Sequence, residues 1–150
     1  MIDNLLVFTH ESAAITDDGY VGNAIDLQKA GLEPGIRQSP LYIVCYVTAG
    51  NTGSAGRCQF LLRTGTGLDS SGNIQNTGHA NIMPLSQKEQ WDEEGLAFVV
   101  ALPYFQEPQP YKRYLQIYAD ETTNGLAALK IRAYISFSPE RLRTYPDAVN

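Results

Sequence analysis

The sequence predicts an all-β protein, an antiparallel β-sandwich of jelly-roll or Greek-key type with at most one or two short helical turns. Leu41–Thr48, Arg113–Ala119 and Ala127–Phe137 alternate apolar and polar residues with the period of two that a half-buried strand requires. No segment of similar length shows helical periodicity. Groups of Asp, Asn, Gly and Pro separate the apolar runs, as turns between many short strands would.

Nine strands are predicted in all, and the long gaps after the first two indicate that the chain crosses there between the two sheets of a sandwich. One of the nine, Leu96–Leu102, is apolar on both faces, which predicts a central strand covered from two sides. The nine are Leu5–Thr9, Ala24–Leu27, Leu41–Thr48, Arg57–Thr64, Asn73–Gln75, Ala80–Leu85, Leu96–Leu102, Arg113–Ala119 and Ala127–Phe137.

One short helix is expected after the sixth strand. Ser86-Gln87-Lys88-Glu89 has the Ser-x-x-Glu pattern of a capping box, and Gly95 would end the helix within about two turns. The strands therefore make up the sandwich almost alone, over residues 1–137.

The last thirteen residues, 138–150, differ in character and are expected to form a C-terminal arm or tail. Pro139 can begin a single helical turn, and Arg141, Arg143 and Tyr145 lie close together beyond it. A frayed terminus is one interpretation. An arm that docks on a neighbouring subunit is the other, and the density of Leu, Tyr and Arg favours it.

Composition excludes several functional classes. A chain of 150 residues is long enough for one domain with its own core. The net charge of −5 argues against a nucleic-acid binder, which needs a basic surface. No apolar run has the length of a membrane span, and the start Met1-Ile2-Asp3-Asn4 lacks the basic residues of a signal peptide. The sequence therefore predicts a protein made in a cytosol.

Cys45 and Cys58 both fall within predicted strands. If their strands form a hairpin closed by residues 49–56, Val47 lies opposite Cys58 and Cys45 opposite Phe60, so that both thiols point to the apolar face. In a reducing cytosol, two buried free thiols are the favoured interpretation over a disulfide.

No motif of a catalytic, cofactor or metal site was found. The two histidines, His10 and His79, lie far apart in the sequence. His10 ends the first strand beside Glu11 and Ser12, but adjacent residues on a strand point to opposite faces and rarely form a triad, so a polar strand end is the favoured interpretation. Asp69 begins a segment spaced like part of a calcium loop, but the glycine is misplaced and Ala80 stands where a glutamate is needed. The sequence predicts a protein that is not an enzyme, with no cofactor and no metal.

Tyrosines are unexpectedly frequent on the polar sides of the strands, where lysine, threonine and glutamate are usual. Tyrosine and arginine together are typical of protein interfaces, because they offer large contact area and hydrogen-bonding groups. If their strands lie in one sheet, these residues form one continuous surface, which the tail could extend. The predicted interface comprises Tyr42, Tyr46, Tyr114, Tyr118, Lys130, Arg132, Tyr134, Arg141, Arg143 and Tyr145.

The order of several segments over residues 1–137 resembles a known family. The chain has an N-terminal Met-Ile-Asp-x-x-Leu-x-Phe strand, then Asn23-Ala24-Ile25-Asp26-Leu27 and Pro40-Leu41-Tyr42-Ile43-Val44-Cys45. Leu102-Pro103 precedes Arg113-Tyr114-Leu115-Gln116-Ile117-Tyr118 late in the chain. This order is similar to the jelly-roll capsid cement (decoration) proteins of short-tailed bacteriophages, of the Bordetella phage type. The chain differs from them in longer loops at Gly65–His79 and Phe105–Lys112 and in its tail.

The resemblance implies a structural protein of the virion, assembled in the host cytoplasm. Proteins of this family bind the outside of the icosahedral head as homotrimers and hold neighbouring copies of the major capsid protein together. The expected partners are therefore the major capsid protein of the same phage and the chain itself. The alternative is a carbohydrate-binding β-sandwich module of a phage or bacterial surface structure, in which exposed tyrosines and Trp91 would stack on sugar rings.

Overall fold

A computed structural model describes residues 4–32, 41–52, 56–102, 111–121 and 126–137 of the chain. A single 3-10 turn at Asn4–Leu6 precedes the first strand, and the only α-helix within these ranges, α1, spans Leu27–Ala30. The eight strands are β1 Val7–Thr9, β2 Gly19–Asp26, β3 Tyr42–Ala49, β4 Cys58–Gly65, β5 Ala80–Pro84, β6 Gly95–Ala101, β7 Tyr114–Glu121 and β8 Lys130–Ser136. The predicted all-β sandwich is confirmed. The predicted arm, 138–150, lies outside the described residues.

The strands form two antiparallel four-stranded sheets. The first sheet has the order β1-β8-β3-β6 and the second has the order β2-β7-β4-β5. Consecutive strands alternate between the sheets except for β4 and β5, which are neighbours in the second sheet. This is the pattern of a jelly roll, in which two Greek keys wrap around one core. All strand pairs within each sheet are antiparallel.

The predicted hairpin of β3 and β4 is wrong. β3 pairs with β6 and β8 in the first sheet, whereas β4 pairs with β5 and β7 in the second. The segment between them is eight residues long in the sequence, which is long enough to cross between sheets. Cys45 and Cys58 are nevertheless both free and buried, because each occupies an inward position on its own strand.

The core lies between the two sheets, and the alternation seen in the sequence fills it. On β7, for example, Leu115, Ile117 and Ala119 are fully buried in the core. Phe8 and Ile43 of the first sheet belong to the same buried cluster. The largest side chains without exposure include Phe8, Phe60, Ile43, Leu62, Leu115, Ile117, Leu129 and Ile131. Burial of this apolar surface is the main force that holds the sheets face to face.

β2 begins five residues earlier than the sequence predicted and bends between Val21 and Ile25, where its pairing register with β7 shifts. Gly22 lies within this bend at φ 72, and a Cβ there would collide with the carbonyl group of Phe8. Only glycine fits this close approach of β2 to β1. The sequence placed the start of this strand too late, because the segment before it has the composition of a turn.

Asp26 ends β2 and caps the short helix α1. Its carboxylate accepts hydrogen bonds from the backbone amides of Gln28 and Lys29 and pairs with Arg113, whose Nη2 lies 2.8 Å from Asp26 Oδ2. The hydrogen bond from Arg113 is the main reason that the pKa of Asp26 is lowered. These contacts fix the corner where β2 ends beside the start of β7.

The helix predicted after Ser86 is wrong. Ser86 Oγ accepts a hydrogen bond from Phe60 N, and the Ser86 carbonyl accepts one from Gln59 Nε2. Glu89 then exchanges two backbone hydrogen bonds with Cys58. The segment therefore runs alongside β4 as an extended chain, because its polar groups bond to the sheet rather than to one another.

Two other strand predictions need correction. Asn73–Gln75 forms no strand but only an isolated bridge, in which Ile74 meets Leu68. β6 was expected at the centre of a sheet, yet it is the outermost strand of the first sheet.

Within the described residues, no helix is both long and apolar enough to cross a membrane.

Candidate protein interface

The structure divides the predicted tyrosine surface in two. β3 and β8 carry Tyr42, Tyr46, Lys130, Arg132 and Tyr134 on the outer face of the first sheet, whereas β7 carries Tyr114 and Tyr118 on the outer face of the second. The condition for one continuous surface, that all strands lie in one sheet, is not met. The alternation of apolar and polar residues along a strand shows which side chains face outward. It does not show to which sheet the strand belongs. Arg141, Arg143 and Tyr145 lie outside the described residues.

The centre of the first outer face is a second apolar cluster. Val7, Tyr134, Val44 and Val99 lie in one row across the four strands, because Tyr134 is opposite both Val7 and Val44, and Val44 is opposite Val99. Val44 has no exposed surface and Tyr134 only 6%. Tyr134 thus contributes to the stability of the fold, rather than standing on an open surface.

The other predicted residues of this face are only half-buried: Tyr42, Tyr46, Lys130 and Arg132. Tyr46 packs against the apolar cluster, and the guanidinium of Arg132 lies 5.5 Å from the centre of the Tyr134 ring. The sequence therefore placed these residues on the correct side of the strand. The packing that they make within the chain was not foreseen.

The outer face of the second sheet is covered at one end by the loop between β4 and β5. The amide of Gln116 is fully buried and makes three hydrogen bonds, accepting from Ile74 N (3.0 Å) and donating to Gly22 O (2.9 Å) and Asn73 Oδ1 (2.8 Å). Ile74 packs so closely on Gly65 that a Cβ at Gly65 would overlap its side chain. The loop is thereby fixed to the sheet.

The turn within this loop is stabilised by Asp69. Its carboxylate accepts hydrogen bonds from the backbone amides of Ser71 and Asn73, and the Asp69 amide donates to the Asn73 carbonyl. Asp69 is therefore a turn-forming residue. Gln116 and this turn leave the other half of the sheet uncovered by the loop.

Tyr20, Arg63 and Tyr118, which we name the tyrosine–arginine cluster, occupy this other half. The Arg63 guanidinium lies over the Tyr118 ring, 3.6 Å from its centre, and 5.6 Å from the centre of the Tyr20 ring. The two rings meet edge to face at 5.2 Å. All three side chains are half-buried. The cluster is therefore ordered by its own contacts and still presents surface to a partner.

Arg63 is held in place on its other side by Asn81, whose Oδ1 accepts a hydrogen bond of 2.9 Å from Arg63 Nε. No carboxylate of the described residues forms an ion pair with Arg63. The outer nitrogens of the guanidinium can therefore donate to a carboxylate or a carbonyl group of another molecule, in the forked geometry that suits arginine. Leu61, opposite Tyr118 on β4, adds apolar surface beside the cluster.

Of these three residues, only Tyr118 was predicted from the sequence. Arg63 alternates with the buried residues of β4, so the period of two could have placed it on the outer face. Tyr20 could not be found in this way, because the bend at Gly22 interrupts the alternation of β2. Tyr114, the other predicted residue of this face, is half-buried and has Arg113 5.1 Å from the centre of its ring.

Trp91, the residue expected to stack on sugars in the carbohydrate-binding alternative, belongs to the core. It has 9% of its surface exposed, and its Nε1 donates a hydrogen bond of 2.8 Å to the Cys58 carbonyl. Its ring packs on Phe60 and Phe98, at 5.6 Å and 6.4 Å between ring centres. With so little of its surface exposed, the indole is not an open platform for a sugar ring.

No described part of the chain brings together three or more His, Cys, Asp or Glu side chains that could hold a metal ion.

Comparison with known proteins finds no family model that matches the chain and no curated protein that matches its sequence. The function is therefore inferred from the jelly-roll fold, the tyrosine–arginine cluster and the resemblance in segment order.

Proposed function

We propose that this protein is a decoration protein of a bacteriophage head, which binds the outer surface of the shell and stabilises contacts between copies of the major capsid protein. The observation that carries the proposal is the tyrosine–arginine cluster, on the half of the second sheet that the loop between β4 and β5 leaves free within the described residues. Residues of these two types supply most of the binding energy in protein interfaces. The jelly-roll fold and the resemblance in segment order add independent support.

The cluster suits a partner that stays bound. Arg63 is already stacked on Tyr118 and bonded to Asn81, so little side-chain freedom remains to be lost on binding. Its outer N–H groups can donate to one carboxylate or carbonyl oxygen of the shell, while Leu61 and the two rings cover apolar surface. A rigid sandwich that presents such a cluster meets the needs of a protein that joins other proteins and performs no chemistry.

Co-sedimentation with heads of the phage that encodes the chain, prepared without this protein, tests the proposal. Wild type should sediment with the heads, and Tyr118→Ala and Arg63→Ala should each weaken binding at least tenfold, since truncation at the centre of an interface costs about 2 kcal/mol. Tyr46→Ala is the matched control, a half-buried tyrosine on the opposite face.

Three outcomes are informative. Loss of binding by the cluster variants alone supports the proposal and its site. Loss by Tyr46→Ala alone would move the contact to the first sheet. Wild type that stays in the supernatant with its own heads would overturn the proposed function itself.

A glycan array separates the decoration protein from the carbohydrate-binding alternative. With Trp91 buried, the tyrosine rings are what remains of the expected sugar platform. We expect no selective sugar binding.

The trimeric state implied by the resemblance stays a prediction, which light scattering on the purified protein and threefold density on particles would test.

A further inference from the structure

Arg63 carries a positive charge that no other member of the tyrosine–arginine cluster neutralises. Its contacts are the two tyrosine rings and the side-chain oxygen of Asn81, all of which are uncharged. Asp120, the acid of β7 on the same outer face, is opposite Gln59, four residues or about 13 Å from Arg63 along β4. Within the described residues, the guanidinium therefore lacks a counter-charge.

A partner that covers the cluster would remove this charge from water. Arg63 is already half-buried, and its neighbours Leu61 and Tyr118 are uncharged. Burying a charge without a counter-charge costs more free energy than a hydrogen bond to a neutral carbonyl group returns. A carboxylate would balance the charge and accept charge-assisted hydrogen bonds, which are about twice as strong as neutral ones. Charge balance therefore favours an acidic group over a carbonyl group as the occupant.

The hydrogen bond to Asn81 determines how such a group can approach. An arginine side chain has five N–H groups in one plane, one on Nε and two on each Nη. Nε donates to Asn81 Oδ1 at 2.9 Å, so the side-on approach, which uses Nε, is already occupied. At the end of the guanidinium, one N–H of each Nη can still donate to the two oxygens of a carboxylate. The stacking on Tyr118 holds the plane in which this pair would form.

An apolar strip lies beside this position. Tyr20, Tyr118, Leu61 and Pro84 stand opposite one another, in that order, across the four strands of the second sheet. Leu61 is two residues from Arg63 and lies on the same side of β4. A partner that covers the strip would also exclude water from the carboxylate contact, which strengthens the electrostatic interaction there.

We propose that Arg63 binds a carboxylate of the shell, the side chain of an Asp or Glu of the major capsid protein, end-on through its two Nη groups. This inference rests on the proposed function and names the chemical group that the tyrosine–arginine cluster recognises. The contact gives specificity, because a shell without an acidic side chain at this place would leave the charge of Arg63 buried and unpaired. The apolar strip supplies contact area that does not depend on charge.

Heads whose carboxylates have been converted to neutral amides test this contact. Heads prepared without this protein are treated with a water-soluble carbodiimide and glycinamide, and mock-treated heads receive no carbodiimide. In co-sedimentation, wild type should bind the amidated heads about tenfold more weakly, as expected for loss of a hydrogen-bonded ion pair. Because the chain has a net charge of −5, removing negative charge from the heads would otherwise favour binding. A loss therefore reports a local contact.

Arg63→Gln identifies the residue that makes the contact. It should bind mock-treated heads about tenfold more weakly than wild type, yet bind amidated heads at least as well, because one contact cannot be lost twice. Arg63→Lys, which keeps the charge without the fork, should lie between the two on mock-treated heads.

Two matched controls accompany these variants. Lys130→Gln makes the same change in net charge at a half-buried position on the opposite face, and should bind both kinds of head like wild type. Leu61→Ala should lose the same factor on both kinds of head, since its contact does not involve charge. Equal loss by Leu61→Ala also shows that amidation leaves the rest of the binding surface intact.

The outcomes separate this inference from the proposed function. If wild type binds both kinds of head equally, or if Arg63→Gln loses the same factor on both, the occupant is a neutral acceptor and the inference is overturned, while the proposed function stands. The same holds if Arg63→Gln binds mock-treated heads like wild type. Wild type that stays in the supernatant with mock-treated heads overturns the proposed function and this inference with it.

Discussion

The guanidinium of Arg63 stacks on the ring of Tyr118, 3.6 Å from its centre, although the two residues lie on different strands and 55 positions apart in the sequence. β4 and β7 are neighbours in the second sheet, with Arg63 opposite Gln116 and so diagonal to Tyr118. Tyr20 completes the cluster from β2. The strand order of the jelly roll thus assembles an interface-like group from three distant segments.

We expect Arg63 and Tyr118 to be energetically coupled in the isolated protein. A double-mutant cycle of Arg63→Ala and Tyr118→Ala, measured by denaturant unfolding, should give a coupling of about 0.5–1 kcal/mol, as for a partly exposed cation–ring contact. Arg63→Lys should keep the charge but lose the flat stacking. Additive effects of the two substitutions would show that the stacking contributes nothing to stability.

Tyr134 should behave as a core residue, contrary to what its polar-face position suggests in the sequence. Because only 6% of its surface is exposed, Tyr134→Ala should lower the free energy of unfolding by about 3 kcal/mol. Tyr118→Ala, at a half-buried position, should cost about 1 kcal/mol. Thermal and urea unfolding of both variants checks the order, which would be reversed if Tyr134 stood on an open surface.

Gln116 should hold the loop between β4 and β5 on the sheet. Gln116→Leu keeps the approximate volume but leaves the Ile74 amide and the Gly22 carbonyl without their partner, which should cost about 1–3 kcal/mol. The Ile74 amide should then exchange faster with solvent. Gln59→Leu, which removes a single bond to the Ser86 carbonyl, is the matched control and should leave Ile74 exchange unchanged.

The two thiols should react slowly with thiol reagents in the native protein and fast in denaturant. Burial is the main reason that the pKa of Cys58 is raised to about 12, with the nearby Asp120 charge second. Burial also raises the pKa of Cys45, and the neighbouring Cys58 adds to the effect. Rapid labelling of either thiol without denaturant would show that it is not buried.

The same raised pKa values predict a loss of stability in alkali. In the unfolded chain a thiol ionises near pH 8.5, whereas in the folded protein both thiols remain protonated well above that. The unfolded state therefore releases protons first, and the free energy of unfolding should fall as the pH rises from about 8.5 toward 12. Cys58→Ala should show a smaller fall over this range, and an equal fall would attribute the effect to other groups.

The sequence alone determined where most of the strands lie and, for the strands with a regular alternation, which side faces the core. Alternation is a local property: once Leu115, Ile117 and Ala119 must be buried together, their neighbours Tyr114, Gln116 and Tyr118 must point the other way. This is why the sandwich could be predicted from short apolar runs. It also explains why both cysteines were correctly placed inside, although the hairpin expected to bring them there does not exist.

Only the tertiary structure decided which strands share a sheet and what covers each outer face. The pairing of β4 with β7, the position of β6 at an edge and the anchoring of Ile74 by Gln116 all join segments that are distant in the sequence. The packing of the whole chain determines which of these contacts form, because an alternating strand fits either sheet equally well. Two tyrosines with the same alternation, Tyr118 and Tyr134, therefore end on opposite faces, one half-exposed and the other buried.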